Sequence, residues 1–249
     1  SEMCIRDRLD LVSSQGSGYS YNTTWRFQPP INLPDNCEVA LYSISMFNSN
    51  PNISASLNNQ TLKYSKDSGA TYTTITIPQG TYGIDALSTA INTLIVATGG
   101  VSNNVILTGN YATLKIDITL SATYRLDLSV GNLYRLLGWT PAIVSVSGTG
   151  SSLADLTNGI VSYSINSNIV SGAGSYLSGV ASQSLYSFVP NVSAGNLIDI
   201  TVQNLLYVSM NTQTIGSLNI NITDQAGNLL VDLSQEPIRY TLIIREGNN

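Results

Sequence analysis

Histidine is absent from this chain of 249 residues, and cysteine occurs only twice. Without histidine, the chain has no Ser-His-Asp or Cys-His catalysis, no histidine-ligated zinc and no neutral-pH imidazole proton shuttle. The two thiols, Cys4 and Cys37, can form one disulfide but not a disulfide framework. Because Cys37 precedes the mostly apolar segment Glu38–Leu41, we expect a small buried thiol there. Carboxylates remain as the catalytic groups to consider.

Charge is also scarce. Asp, Glu, Lys and Arg make up 10% of the residues, with a formal net charge of -5, against roughly 25% charged residues in ordinary soluble domains. Apolar residues reach 43%, which is enough for a sizeable core. A surface rich in Ser, Thr and Asn repels neighbours weakly and therefore suits a protein that packs against copies of itself. The acidic balance argues against specific nucleic-acid binding.

Long apolar runs are missing as well. Stretches such as Leu94–Ala97 are far shorter than the roughly 20 residues that span a bilayer, so we expect no membrane span. The charged start, residues 1–8, is unlike a secretory signal and resembles a translated sequencing-adapter or assembly scar. We therefore predict an N-terminal arm over residues 1–21 and one domain over residues 22–249.

Alternation of apolar and polar residues dominates the rest of the chain and predicts strands. Leu114–Leu120 and Tyr124–Val130 alternate on either side of a short turn, which predicts a hairpin. Near the C-terminus Ile238, Tyr240, Leu242 and Ile244 alternate with Arg239, Thr241, Ile243 and Arg245, which predicts a strand with the first four residues in the core. Further strand candidates are Thr24–Gln28, Glu38–Phe47, Thr71–Ile77, Ile160–Ile165, Ser184–Val189, Leu197–Val202 and Leu218–Thr223. Val39–Phe47 has apolar residues at both odd and even positions, which is typical of a central strand covered on both faces.

Two stretches have helical spacing, Ile84–Ile95 and the short Asn132–Gly138. The Gly- and Ser-rich segments Ser145–Ser152 and Ser171–Ser178 are typical of loops. About ten short strands with little helix indicate an all-β fold. The prediction is a β-sandwich of two antiparallel sheets, with one or two short helices in insertions.

Asp117 and Asp127 form the one carboxylate pair that the predicted hairpin would bring together, directly opposite each other on its solvent face. A calcium site and a glycosidase-like pair are two interpretations of this arrangement. A solvated charge ladder, with Arg125 and Lys115 diagonal to the two carboxylates, is the interpretation we favour. We therefore predict no catalytic, cofactor-binding or metal-binding residues.

Trp25 and Trp139 invite two interpretations, since large aromatics at strand ends either stack against carbohydrate or anchor a core or interface. The anchoring role is the more common one. The chain also has 14 tyrosines against 3 phenylalanines, which favours amphipathic contacts of the kind found at protein interfaces.

Several blocks of the chain, taken in order, resemble one viral family. They are Asn36–Leu41, Pro51–Ile53, Ile75–Tyr82, Arg125–Leu128 with Leu133–Trp139, Asn168–Tyr176, Leu185–Asn191, and Ile222–Asn228 through Tyr240–Glu246. Together they resemble the penton, or minor capsid, proteins of Polinton/Maverick-type elements, adintoviruses and polinton-like viruses. The closing block is similar to the terminal hairpin of that family.

The resemblance implies a jelly roll that assembles as homopentamers at the five-fold vertices of an icosahedral DNA-virus capsid. It implies contact with a double-jelly-roll major capsid protein, a place in the virion, and no enzyme activity or cofactor. A carbohydrate-binding β-sandwich, either an adhesin or a viral fibre or receptor-binding domain, is the alternative hypothesis.

Overall fold

The computed structural model describes residues 5–19, 21–157, 160–171, 176–177, 180–181, 183–193, 195–230 and 236–247. Its helices are α1 (Ile84–Ala97) and α2 (Leu133–Leu137). Its strands, in chain order, are β1 (Ile5–Val12), β2 (Ser17–Tyr19), β3 (Asn22–Asn32), β4 (Cys37–Phe47), β5 (Thr61–Ser65), β6 (Thr73–Thr76), β7 (Val105–Asn110), β8 (Lys115–Leu120), β9 (Arg125–Asp127), β10 (Ile143–Val144), β11 (Gly148–Thr149), β12 (Tyr163–Ser167), β13 (Tyr176–Leu177), β14 (Val180–Ala181), β15 (Ser184–Phe188), β16 (Leu197–Thr201), β17 (Val208–Ser209), β18 (Thr214–Asp224) and β19 (Arg239–Glu246).

The chain forms two compact units. Unit 1 combines Ser1–Asn50 with Ile160–Asn249, and unit 2 is the sequence between them, Pro51–Gly159. Each unit has its own hydrophobic core. None of the helices in the described ranges is both long and apolar enough to cross a membrane.

Unit 1 is a sandwich of two antiparallel sheets. One sheet has the order β1-β19-β4-β16, with β17 also on β4, and the other has the order β15-β12-β18-β3-β2. Without the short β2 and β17, the two sheets contain eight strands, which are β1, β3, β4, β12, β15, β16, β18 and β19. If these are renumbered 1 to 8 along the chain, the strand orders of the two sheets are 1-8-3-6 and 5-4-7-2. These are the strand orders of a jelly roll. The predicted all-β sandwich is therefore confirmed, and both helices lie in the segment inserted between β4 and β12.

Both ends of the chain contribute to one sheet of unit 1. β1 pairs with β19 from Ile5↔Arg245 to Val12↔Arg239 and so forms one edge of that sheet. Leu11, on its inner side, is 6% exposed. The segment that the sequence assigns to an arm, 1–21, thus contains the first strand of the jelly roll, and this strand begins within residues 1–8.

The central strand β4 owes its unusual pattern to a bulge. Val39 and Leu41, at odd-numbered positions, face the core. Ile44 and Met46 also face the core, although they occupy even-numbered positions. The register of β4 against β19 shifts between these pairs, which leaves Tyr42 as the extra residue. Since an extra residue reverses which parity points inward, apolar residues on both parities do not require two covered faces. Tyr42 is 37% exposed, whereas Ala40 on the outer face is 0% exposed, so the outer face of β4 is covered only in part.

The alternation of β19 is confirmed in the core of unit 1. Ile238, Tyr240, Leu242 and Ile244 are 2%, 1%, 0% and 0% exposed. The expected terminal hairpin is wrong, because β18 pairs with β12 and β3, whereas β19 pairs with β1 and β4 in the other sheet. The turn between the two strands begins with Asp224, whose carboxylate accepts hydrogen bonds from the backbone of Ala226 and Asn228.

Unit 2 contains the sheets β10-β9-β5-β6 and β11-β8-β7 together with both helices. The first helix is close to the prediction and buries Ile84, Leu87, Ile91 and Ile95. The second ends at Gly138, which adopts a left-handed conformation with φ 69°. Such a C-terminal glycine is the expected stop signal of a short helix.

Two buried tyrosines of unit 1 give a matched test of its core. The Tyr240 hydroxyl has no hydrogen-bond partner among the described residues, and burial raises the pKa of Tyr240 well above its usual range. The Tyr163 hydroxyl donates to Oδ1 of Asn48 at 3.0 Å.

Because an unsatisfied buried hydroxyl costs about 1–3 kcal/mol, Tyr240→Phe is expected to raise the free energy of unfolding by about 1 kcal/mol. Tyr163→Phe is expected to lower it. Chemical denaturation measures both, and a loss of stability in Tyr240→Phe would contradict the burial described.

Candidate functional site

The carboxylates singled out by sequence do not form a pair. Asp117 lies on β8, opposite Thr108 and Thr149, whereas Asp127 lies on β9, opposite Lys63 and Ile143 in a different sheet. The predicted hairpin is therefore wrong. Ile116, Ile118 and Leu126 are buried as expected, but Leu114, predicted on the same face, is 62% exposed.

The aromatic residue before β9 accounts for the difference. Tyr124 is 5% exposed and stacks on Tyr64 of β5, with ring centroids 6.3 Å apart. Its hydroxyl also accepts a hydrogen bond from the backbone of Val101 at 2.8 Å. These contacts hold the start of β9 beside β5, so the turn after Ser121 leads into a second sheet instead of folding back on β8.

The two carboxylates have different surroundings in their two sheets. Asp127 accepts hydrogen bonds from the backbone and hydroxyl of Ser129 at 2.9 and 2.6 Å, as in a local turn. Oδ1 of Asp117 is buried without a partner among the described residues. Calcium requires six to eight oxygen ligands, and no group of three or more acidic, cysteine or histidine residues is found in the described part of the chain.

We expect calcium to leave the melting temperature unchanged. Excess calcium and excess chelator should give the same transition, and Asp117→Asn should respond in the same way as the wild type. A bound ion at one hundred times its dissociation constant stabilises a protein by about 2.7 kcal/mol. A calcium-dependent rise of several degrees that Asp117→Asn abolishes would contradict this prediction.

Both tryptophans are anchors within the units and not exposed stacking platforms. Trp25 is 6% exposed, packs edge-on against Tyr240 and donates from Nε1 to the carbonyl of Val12 at 3.0 Å. Trp139 packs against the core of unit 2 and donates to the carbonyl of Ile116 at 3.0 Å. The core-anchor interpretation accordingly holds for both side chains.

The two Gly- and Ser-rich segments, 145–152 and 171–178, are both predicted from the sequence to be loops. Within 145–152, Gly148 and Thr149 form β11 on β8, and the Ser147 hydroxyl accepts a hydrogen bond from the backbone of Leu120 at 2.9 Å. This segment is therefore tied to a sheet, which corrects the expectation of a loop. Most of 171–178 lies outside the described residues.

The outer face of the β1-β19-β4-β16 sheet carries charge at one end of β4. Arg245 donates two hydrogen bonds to Oε2 of Glu38, at 2.9 and 2.7 Å, and lies 3.5 Å from the ring centroid of Tyr207. On the same face Asp10 accepts a hydrogen bond from Thr241 at 2.8 Å. This bond is the main cause that lowers the pKa of Asp10. These charges are satisfied by neighbours within unit 1.

The opposite end of β4 is apolar and exposed. Phe47 and Leu197 lie directly opposite each other on β4 and β16 and are 38% and 47% exposed. Their neighbours in the ladder, Met46 and Ile198, point into the core. Phe47 and Leu197 therefore form an apolar pair on the outer face, at the edge of the sheet.

The second edge of this sheet, β16, has no strand on its far side among the described residues. Asn48 and Val202 donate backbone bonds across the β4–β16 ladder, to Asn196 and Tyr42 respectively. Because bonded pairs alternate in an antiparallel ladder, the backbone groups of Leu197, Asp199 and Thr201 point away from β4. They form an open edge that another chain can contact. Sequence predicts the strand but gives no signal that it lies at an edge.

No protein-family model and no curated protein matches the chain. Among solved structures, the chain is similar to the crystal structure of the selenomethionine-labelled mavirus penton protein. The two share 14% sequence identity and a TM-score of 0.47, over 95% of this chain and 98% of the mavirus chain. The fold assignment rests on the strand order of unit 1.

Proposed function

We propose that this chain is a structural virion protein, a penton or minor capsid subunit that forms pentamers at the five-fold vertices of an icosahedral DNA-virus capsid. The observation that supports it best is the jelly roll of unit 1. Four of its strands, β4, β15, β18 and β19, contain sequence blocks that resemble the penton family. The resemblance implies this same fold.

The surface of unit 1 fits assembly. A closed ring uses heterologous contacts, in which one patch of each copy meets a different patch on its neighbour. The β1-β19-β4-β16 sheet provides two different edges, β1 and β16, on its opposite flanks. The β16 edge combines exposed backbone groups with the apolar pair Phe47 and Leu197. With so few charges in the chain, copies repel each other weakly.

The remaining parts of the proposal follow from the resemblance. The chain would contact a double-jelly-roll major capsid protein around the vertex and would have no catalytic role. The carbohydrate-binding alternative drew in part on Trp25 and Trp139. Trp25 is buried and Trp139 is partly buried against the core of unit 2, so neither is an open stacking platform.

Two leucines with equal exposure test the assembly edge. Leu197 on β16 and Leu229 in the turn after β18 are each 47% exposed. A lysine on an edge strand opposes further strand pairing, so Leu197→Lys should lower the number of copies per purified particle, whereas Leu229→Lys should not. Quantitative mass spectrometry of particles gives the copy number. Equal incorporation of both folded variants at the wild-type level would contradict a role of this edge.

A further inference from the structure

A cleft in unit 1 lies where the β3–β18 ladder is interrupted. Arg26 pairs with Ser217 and Ile31 pairs with Ile215, so the single residue Gly216 faces residues 27–30 of β3. Such a bulge disrupts the ladder locally and separates the strands. The resulting cleft has a volume of about 760 Å³. Its lining residues include Arg26, Gln28, Asn168, Asn211, Gly216 and Ser217.

Gly216 keeps this cleft open. Glycine inside a strand weakens it and often marks a bulge or a place where a ligand or another backbone approaches closely. Gly216 lies at the bulge, its φ is outside the left-handed range, and a Cβ atom there would have no neighbour within 4 Å among the described residues. The backbone at Gly216 is therefore open to the close approach of a ligand.

Three polar side chains along the cleft are available to a ligand. Arg26, Gln28 and Ser217 are exposed, and the described residues offer them no hydrogen-bond or ion-pair partner. Arg26 is also the one charged side chain among the described residues that line the cleft. In a chain with a net charge of -5, an unpaired guanidinium favours an anionic group, and its fork geometry matches a carboxylate or a phosphate.

The far wall of the cleft is held in place by its own hydrogen bonds. Asn168 donates to the carbonyl of Ser217 at 3.3 Å and accepts from the backbone of Asn219 at 2.7 Å. Asn211 donates to the carbonyls of Asn168 and Val170 at 2.9 and 3.2 Å. A wall fixed in this way loses little conformational freedom when a ligand binds.

From these observations we propose that the cleft is a binding site for an acidic sugar, a monosaccharide unit that carries one carboxylate among several hydroxyl groups. Arg26 binds the carboxylate. Gln28 and Ser217 provide the amide and hydroxyl groups that pair with sugar hydroxyls. Gly216 leaves room for the ring, and Phe27 and Pro30 form the apolar side of the cleft. The proposal does not depend on where the subunit sits in a particle.

Ligand-observed NMR and calorimetry on the full chain test the site. The probes are the methyl glycoside of N-acetylneuraminic acid and glucuronic acid, with methyl galactoside as the neutral control and a short peptide with a free C-terminal carboxylate as a competitor. We expect the acidic sugars to bind with a dissociation constant of about 1 mM and the other two probes to bind more weakly. Arg26→Met should weaken binding by about tenfold or more.

Two glycine variants separate loss of the site from loss of the fold. Gly216→Tyr should fill the cleft without backbone strain and abolish binding, at an unchanged melting temperature. Gly83→Tyr, in unit 2, is the control, since a Cβ atom there also has no neighbour within 4 Å in the described part of the chain. Absence of acidic-sugar binding, equal binding of methyl galactoside, preferential binding of the peptide, or full binding by folded Arg26→Met would overturn the proposal.

Discussion

Leu242→Asp is expected to prevent unit 1 from folding. Leu242 is 0% exposed at the centre of β19, where it pairs with Leu9 on one side and Leu41 on the other. Truncation of a buried leucine alone costs about 2–5 kcal/mol, and an unpaired buried carboxylate adds several more. The sum is comparable with the whole stability of a typical domain, about 5–15 kcal/mol.

The matched control is Arg239→Ser on the same strand. Arg239 is exposed and faces away from the core, and among the described residues its partners Val12 and Ser45 pair with its backbone. Its replacement should leave expression, circular dichroism and the melting temperature close to those of the wild type. A soluble Leu242→Asp chain with native circular dichroism would show that β19 does not lie in the core.

Gly138→Ala is expected to lower the free energy of unfolding of unit 2 by about 3 kcal/mol. Gly138 has φ 69°, and a Cβ atom there would lie 2.4 Å from the carbonyl oxygen of Ser152 and 2.7 Å from that of Leu153. The backbone of Ser152 also donates to the carbonyl of Gly138 at 2.9 Å. The added methyl therefore strains the turn and separates two backbone segments that pair with each other.

Gly83→Ala provides the comparison for this second variant. Gly83 precedes α1 with φ -73°, and a Cβ atom there would have no neighbour within 4 Å among the described residues. The same chemical change should cost less than about 1 kcal/mol there. Guanidinium denaturation followed by circular dichroism compares the two. Equal destabilisation would mean that the close approach around Gly138 does not constrain the fold.

Local patterns in the sequence predict most elements but not their partners. The alternation in Leu114–Leu120 and Tyr124–Val130 identifies the buried residues of β8 and β9, although it also assigns the exposed Leu114 to the buried face. It carries no information about pairing, because the stacking of Tyr124 on Tyr64 is a contact between residues distant in sequence. The terminal hairpin fails for the same reason, since a turn at Asp224 fits equally well between two strands of different sheets.

The bulges are a second feature that the sequence pattern does not predict. A strand with an extra residue at Tyr42 and a strand covered on both faces give the same apolar sequence. Gly216 likewise interrupts the alternation of β18, but only the register against β3 reveals a cleft beside it. The open edge at β16 depends on strand order, which arises from contacts across the whole of unit 1.

Cryo-electron microscopy of intact particles tests the penton proposal most directly. The expected result is density that fits the jelly roll of unit 1 at the five-fold vertices, with five copies around each axis and the β1 edge of one copy facing the β16 edge of the next. Density for this chain only on a tail, a fibre or a cell surface would contradict the proposal and favour the carbohydrate-binding adhesin.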